Sequence, residues 1–238
     1  MARRRGGSPP PLPTGDEKTA RVREMFDTIA PRYDLINRLM TFGLDQAWRR
    51  GTVAALALPD GALVLDLACG TGDLSRLALR RGYRVVGADL SAGMLAANGA
   101  PTPLVEADGS RLPFVDGAFD GLVCGYALRN FTDLAATLSE SARVLRAGGR
   151  LAVLEVDTPT APLWRAGYDM WFTKAVPALG AALSDKEAYR YLPQSVAYLP
   201  PAPVLRTMLR AAGFSAVGIR PLAGGLSQLI VATRAGTP

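Results

Sequence analysis

Apolar residues follow two rhythms along this chain, and the change of rhythm divides it. From Asp16 onward Val22, Met25, Phe26 and Ile29 recur at helical spacing until Pro31 ends the run, and Tyr33, Ile36, Asn37 and Met40 begin a second helix. A third helix is predicted from Leu44 and Asp45 through Trp48, Val53, Leu56 and Leu58, ending before Pro59. Short runs then take over. Leu63 to Leu67 is too brief for a helix, is bounded by Gly61 and Gly70, and reads as a buried parallel strand. Further strands are predicted at Arg84–Asp89, Leu104–Glu106, Gly121–Gly125 and Leu151–Val156. Helices fall between them: one from Leu74, a short one capped by Ser91, and one over Leu134–Leu145. Pro203–Ala212 reads as a helix, and Ala216–Ile219 with Leu226–Ala232 as an antiparallel hairpin closing the sheet. Strands alternating with helices in this way predict an α/β fold, a mostly parallel sheet wound on both faces.

The same pattern sets the domain organisation. Residues 1–15 hold three arginines and a proline run, cannot bury enough surface to order themselves, and are expected to be a disordered basic tail. Residues 16–58 form a helical cap, and 59–238 form the core. That core is interrupted at 157–200 by a segment rich in aromatic and apolar residues, Trp164, Tyr168, Trp171 and Phe172 among them. It reads either as the packing surface of an inserted helical pair or as a lid over a greasy substrate. A length of 238 residues suits one domain with such an addition.

Composition narrows the partners. No run approaches the ~20 apolar residues of a membrane span, and no apolar leader opens the sequence, so a cytoplasmic protein is expected. A net charge of +6 raises the question of nucleic acid, yet all but three of the 27 basic residues are arginines, and they are scattered. Nucleic acid is not an expected partner, whereas an anionic membrane face suits the charge. Two cysteines, Cys69 and Cys124, and no histidine exclude a four-ligand zinc site and the usual general base. No metal is expected.

Chemistry enters at LVLDLACGTGD, Leu63 to Asp73. Gly70 and Gly72 permit positive φ, and Asp73 is placed to cap the following helix, so that free N–H groups and a positive helix end face a ligand lying across the loop. The dinucleotide fingerprint G-x-G-x-x-G is not matched, because Ala68 and Ser75 stand at its outer positions. Instead Asp66 sits in the strand end, where an acid suits an ammonium group better than a pyrophosphate. Asp89 ends the second strand, about 20 residues on, where an acid meets ribose hydroxyls. Its plain alternative is a helix cap or a solvated loop acid.

Together these pieces resemble the class I S-adenosylmethionine-dependent methyltransferases, which are Rossmann-like with a seven-stranded sheet. The blocks VREMFDTIAPRYDLINRLMTFGLDQAWRR, LDLACGTGD, ADLSAGML, LPFVDGAFD, ALRNFTD, RVLRAGGRLAVLE and YRYLPQSV are similar, in order and spacing, to the demethylmenaquinone and ubiquinone-precursor C-methyltransferases over about Lys18 to Arg234. The last strand departs from that pattern, reading GGLSQLIVATR where many members carry a His, and Gly125 stands where a hydroxyl residue is common. The resemblance implies that S-adenosylmethionine is bound by Asp66 and the Gly70–Thr71–Gly72 loop at its methionine end. Asp89 and Leu90 would meet the ribose, Asp108 and Gly109 the adenine, and Gly125 the neighbouring strand end. Thr71 could instead only shape the turn, and Asp108 only cap its strand.

The implied substrate is a prenylated hydroquinone, demethylmenaquinol before a ubiquinone-precursor benzoquinol. Methylating its ring carbon requires alignment with the methyl donor and a stabilised phenolate in a dry pocket. Arg129 and Asn130 follow the fourth strand at the carboxyl edge where open α/β sheets bind ligands, and Tyr33, Asp34 and Tyr126 are further candidates. For Arg129 the plain alternative is a surface salt bridge. A membrane-dissolved tail implies peripheral contact with the inner face of the cell membrane, with a homodimer left open. Two rival readings are a nicotinamide-dependent reductase, which would begin nearer its first strand, and a basic RNA-binding module, which would cluster its arginines.

Overall fold

Seven short apolar runs find one another in a single sheet in the computed structural model, which describes residues 15–30, 38, 41, 43–157, 159 and 195–236. The predicted helix from Tyr33, the tail before Gly15 and almost all of the 157–200 segment lie outside the described residues. Helices α1 (Gly15–Ile29) and α2 (Leu44–Ala55) come before β1 (Leu63–Leu67), α3 (Asp73–Arg80), β2 (Arg84–Asp89), α4 (Ala92–Ala96) and β3 (Leu104–Glu106). Then follow β4 (Phe119–Gly125), α5 (Leu134–Val144), β5 (Leu145–Val156), α6 (Ala202–Ala211), β6 (Phe214–Leu222) and β7 (Ser227–Arg234).

The strand order is β3-β2-β1-β4-β5-β7-β6. Strands β1 to β5 pair in parallel, while β7 runs antiparallel to both β5 and β6. The backbone therefore winds outward from β1 to β3 and returns to β4 on the other side. Loops leaving β1 and β4 diverge at that switch and open a crevice at the carboxyl ends of the strands. The terminal hairpin is present as predicted, with β7 inserted beside β5 and β6 left at the edge.

Several boundaries move for physical reasons. β4 begins at Phe119, two residues before the predicted start, because buried Phe119 pairs with Leu145. β5 begins at Leu145, ahead of the predicted Leu151, and takes in Arg146–Gly149, with a register irregularity in its pairing to β4 between Phe119 and Gly121. Pairing from Phe214 opposite Arg234 to Leu222 opposite Ser227 lengthens both hairpin strands. α2 closes at Ala55, so Leu56 caps it and Leu58 lies past its end. Asp73 does not cap α3: the cap is Gly72, at φ 87°, and Asp73 is the first helical residue. Ser91 does cap α4, its Oγ accepting from Met94 N at 3.0 Å, and Asp133 caps α5 through Ala136 N at 2.8 Å.

Alternation along the strands divides the core between two faces. Val64, Val85, Val123 and Ala152 pack under α2 and α3 through Val53, Leu56, Leu74 and Ala78. Leu65, Leu122, Leu151, Val153 and Ile230 pack under α5 and α6 through Leu138, Ala142, Leu205 and Leu209. A third patch joins Met25, Phe26 and Ala30 to Met94 of α4, which lays α1 across the crevice. Among the described residues no helix is long and apolar enough to cross a membrane.

The central layer should carry most of the stability. Leu122→Ala, at a side chain 1% exposed in the middle strand, is expected to cost about 2–5 kcal/mol. Urea unfolding of the ligand-free protein, read as a lower midpoint at unchanged slope, checks it.

Candidate active site

At the carboxyl end of β1 the sheet delivers a carboxylate into a dry place. Asp66 is 1% exposed; Ser75 Oγ of α3 donates to its Oδ2 at 2.6 Å, while Oδ1 has no hydrogen-bond partner. Burial pushes its carboxyl up to about 7, against the opposing pull of Ser75 and Arg49. An unsatisfied buried acceptor of this kind fits an ammonium group. The backbone then turns through Ala68, at φ 54°, and Gly70, at φ 51°, before Gly72 starts α3. A non-glycine residue in the left-handed region is costly, and the strand-to-loop transition overcomes that cost here.

Asp89 faces the same loop from β2. Its Oδ2 accepts from Gly70 N at 2.8 Å and its Oδ1 from Ser91 N at 2.9 Å, and burial raises its pKa. The carboxylate thus fastens the glycine loop and the start of α4, and it lines the cleft as well. Asp108 is exposed and turns one oxygen inward on Ser110, whose N and Oγ both donate to Oδ1 at 2.8 Å. Gly109 beside it is buried; an added Cβ would come within 3.0 Å of Phe131. Leu90 and Thr71 also line the cleft.

The far wall comes from β4 and the two leading helices. Gly125 admits Leu74, whose Cδ1 an added Cβ would approach to 2.9 Å, so a hydroxyl residue here would require the Leu74 side chain to shift. Tyr126 follows at φ 60°, its ring 5.4 Å beneath the Arg49 guanidinium. Its hydroxyl is buried beside Ser227 without a formed hydrogen bond, and burial pushes the phenol up. Arg49 of α2 is 5% exposed and lies 3.4 Å from Asp45 and 3.7 Å from Asp73. Asn130 lines the cleft, and its Nδ2 donates to Tyr126 O at 3.4 Å.

Arg129 sits elsewhere. It is buried, not on the surface: it forms an ion pair with Glu155, its Nη1 donates to Tyr126 O at 2.8 Å, and its Nε donates to Ser195 Oγ at 3.0 Å. It does not line the cleft, whereas Tyr126 and Asn130 on either side of it do. Tyr33 and Asp34 lie outside the described residues. The structure therefore brings Asp66, Gly70, Thr71, Asp89, Leu90, Asp108, Gly109, Gly125, Tyr126 and Asn130 around one cleft of about 980 Å³, counted with its open mouth. Gly72 adjoins it as the α3 cap.

Sequence reasoning missed Arg49, Glu155 and the polar side of α1. The Asp45–Arg49 spacing of four on a helix was a legible pairing signal, but nothing in the pattern said that it faces the glycine loop. Asp27 of α1 accepts from Gly93 N at 2.9 Å and from Ser91 Oγ, and Arg23 pairs with Glu106. Cys69 and Cys124 are free and buried, and burial raises both thiols, so neither is poised as a nucleophile. Among the described residues no group of three or more metal-ligating side chains forms.

A sheet of this order, with acids ending β1 and β2 around a glycine loop, defines a class I S-adenosylmethionine-dependent methyltransferase. The fold matches solved structures of that kind. The magnesium protoporphyrin IX methyltransferase from Synechocystis PCC 6803 with bound SAM is 18% identical, with a TM-score of 0.64, covering 96% of this chain and 100% of that one. Residues 14–236 match the ubiE/COQ5 methyltransferase family, and the chain belongs to that family of S-adenosylmethionine-dependent C-methyltransferases. It is 44% identical to a demethylmenaquinone methyltransferase from Mycolicibacterium vanbaalenii, over 90% of this chain and 95% of that protein. It is 36% identical to a ubiquinone/menaquinone biosynthesis C-methyltransferase from Geotalea uraniireducens, over 90% and 97%.

The state of Asp66 gives the cofactor site a pH signature. Free protein binds a proton there up to about pH 7 that the unfolded protein releases near 4, so this group's contribution to stability is full below about pH 4 and is lost as pH rises to about 7. A ligand ammonium favours the ionised form, so binding S-adenosylhomocysteine at about pH 6 should release a proton and weaken as pH falls further. Calorimetry in buffers of different ionisation enthalpy reads that release directly. Asp66→Asn should abolish it and weaken binding by roughly 10- to 100-fold, the range for a hydrogen bond to a charged group.

Proposed function

We propose that this protein transfers a methyl group to a ring carbon of a prenylated hydroquinone, with demethylmenaquinol as substrate and a ubiquinone-precursor benzoquinol as the second reading. The observation that carries this is the composition of the cleft opposite the glycine loop. Tyr126 and Phe131 present apolar surface there, beside Arg49 and Asn130. Such a wall suits a flat ring bearing one or two oxygens. Relatives named demethylmenaquinone methyltransferase stand at 40% to 45% identity, and those named for both quinones at 36% and 37%; this order favours the naphthoquinol.

S-adenosylmethionine, when bound, supplies an activated methyl group. What the protein supplies is position and charge. Asp66 and the Gly70–Gly72 loop hold the methionine end, Asp89 the ribose, and the Asp108–Gly109 turn the adenine. Arg49, buried and cationic on the α2 side, stabilises the phenolate that makes the ring carbon nucleophilic. Asn130 orients the ring oxygen. Arg129, locked to Glu155 and Ser195, serves as a positioning residue that holds the Tyr126 carbonyl and the turn beyond it. The apolar 157–200 segment covers the isoprenoid tail and brings the protein to the membrane surface. The tail 1–15, cap 16–58 and core 59–238 are the units we assign to this work.

Two measurements test these roles. Arg49→Lys keeps the charge but loses the fork, and should lower turnover on a tail-less naphthoquinol by on the order of 10²-fold while S-adenosylhomocysteine still binds. Arg129→Met, which strands Glu155, should instead destabilise the fold by about 3–5 kcal/mol; loss of turnover at full stability would return the oxyanion role to Arg129. Anaerobic assay of naphthoquinol and benzoquinol side by side decides the substrate, and faster turnover of the benzoquinol would overturn the first reading.

Membrane contact is tested separately. Flotation with anionic vesicles should carry the protein up at low salt and release it at high salt, because headgroup attraction is screened. Protein wholly left behind at low salt would reduce the apolar segment to ordinary packing.

A further inference from the structure

Lys18 is a lysine with 4% of its surface exposed, and lysines are almost never buried to that extent without a carboxylate. Among the described residues no carboxylate pairs with it. Its ammonium donates instead to Arg129 O at 3.0 Å and Phe131 O at 2.7 Å, and lies 4.0 Å from the centroid of the Tyr198 ring. Two backbone carbonyls and a ring face replace water around a full charge. Such a site is worth its desolvation only if the geometry is kept. The carbonyls belong to the stretch that begins with the short turn Leu128–Asn130, and the Thr19 and Thr132 hydroxyls hydrogen-bond beside them.

The same helix reaches the other end of the cleft. Val22, Arg23 and Phe26 line the cofactor side, Arg23 pairs with Glu106 at the end of β3, and Asp27 holds Gly93 N. Arg23 and Glu106 are close to half exposed, so that contact is weak. α1 is thus held at one end of the cleft through Asp27 and the Met94 patch, and at the other, through Lys18, to the turn that carries Asn130. Any closing of α1 on a bound ligand acts on that turn through a buried, nearly rigid link.

We propose that Lys18 is a positioning residue that transmits the seating of α1 over the cofactor to the Leu128–Thr132 turn, so that the acceptor side of the cleft is set once the donor side is filled. The inference rests on the reading that this turn faces the methyl acceptor, but its first test needs no acceptor. Hydrogen exchange is followed with and without saturating S-adenosylhomocysteine. In the unmodified protein the ligand should slow exchange roughly tenfold in both 15–29 and 128–132. In Lys18→Met it should still bind with affinity within about threefold and slow 15–29, yet leave 128–132 unslowed, whereas Lys18→Arg should restore the slowing.

Tyr198→Leu, which opens the ammonium to water while keeping both carbonyl bonds, is the variant to use should Lys18→Met not fold; it should lose part of the slowing at 128–132. Equal slowing of 128–132 in the neutral or opened variant and the unmodified protein overturns the proposal. So does an unmodified protein in which the ligand slows 15–29 alone. On the quinol, Lys18→Met should lower kcat about tenfold with little change in KM for S-adenosylmethionine, and Lys18→Arg should recover most of it. If the unmodified protein methylates no quinol, the substrate reading fails while the exchange result still stands or falls by itself.

Discussion

A carboxylate buried at the end of a central strand is the constraint around which this molecule is arranged. Removing Asp66 from water costs several kcal/mol unless something offsets it. The protein offers one hydroxyl, from Ser75, and a distant cation, Arg49. That is enough to hold the group and too little to keep it fully ionised, and one oxygen is left over. The ligand-free site is therefore incomplete by construction. In the proposed reading an ammonium-bearing cofactor completes it, so the stability the fold gives up at β1 returns as affinity.

The glycine loop shows how the remaining geometry follows. Asp89 ties the Gly70 amide to the end of β2 and the Ser91 amide to the start of α4, so two acids on adjacent strands clamp one loop between them. The second acid shapes the site and lines it at once. Removing it would loosen the loop as well as the proposed ribose contact, a consequence invisible when the acid is considered alone. On the opposite side of the switch point the Arg129–Glu155 pair does comparable work for the turn after β4. Both devices use a buried charge to fix irregular backbone, and both sit where the backbone takes up left-handed conformations at Ala68 and Tyr126.

How much of this was legible depends on distance along the sequence. The strands, the glycine loop, Asp66 and Asp89 were readable because local periodicity and turn chemistry determine them within about ten residues. The Ser91 cap is a case in point, being a neighbour effect. The mistaken Asp73 cap shows the limit of the same reasoning: Gly72 already takes the left-handed cap position, which frees the Asp73 carboxylate for Arg76 and Arg49. The burial of Arg129 left no trace in its neighbourhood, since its partner Glu155 lies on another strand and Ser195 much further on. Arg49 and Lys18 were missed for the same reason. Pairings between residues far apart in sequence, such as Lys18 with the Phe131 carbonyl, leave no periodic trace.

The division of charge between sheet and cap explains why the cap matters to the chemistry. The strand ends and loops supply acids, Asp66, Asp89 and Asp108, which suit a cationic donor molecule. The cations that line the cleft, Arg23 and Arg49, come from α1 and α2, which precede the first strand. Those helices also fasten the loops at the strand ends, since Asp27 of α1 accepts from Gly93 N and Ser91 Oγ. In the proposed reading, the acids that hold the donor and the cation that stabilises the acceptor therefore come from different parts of the molecule. A shared fold at 18% identity speaks for the sheet and says nothing of the acceptor, and in the proposed reading the acceptor's cation stands on a helix that packs onto that sheet and does not belong to it.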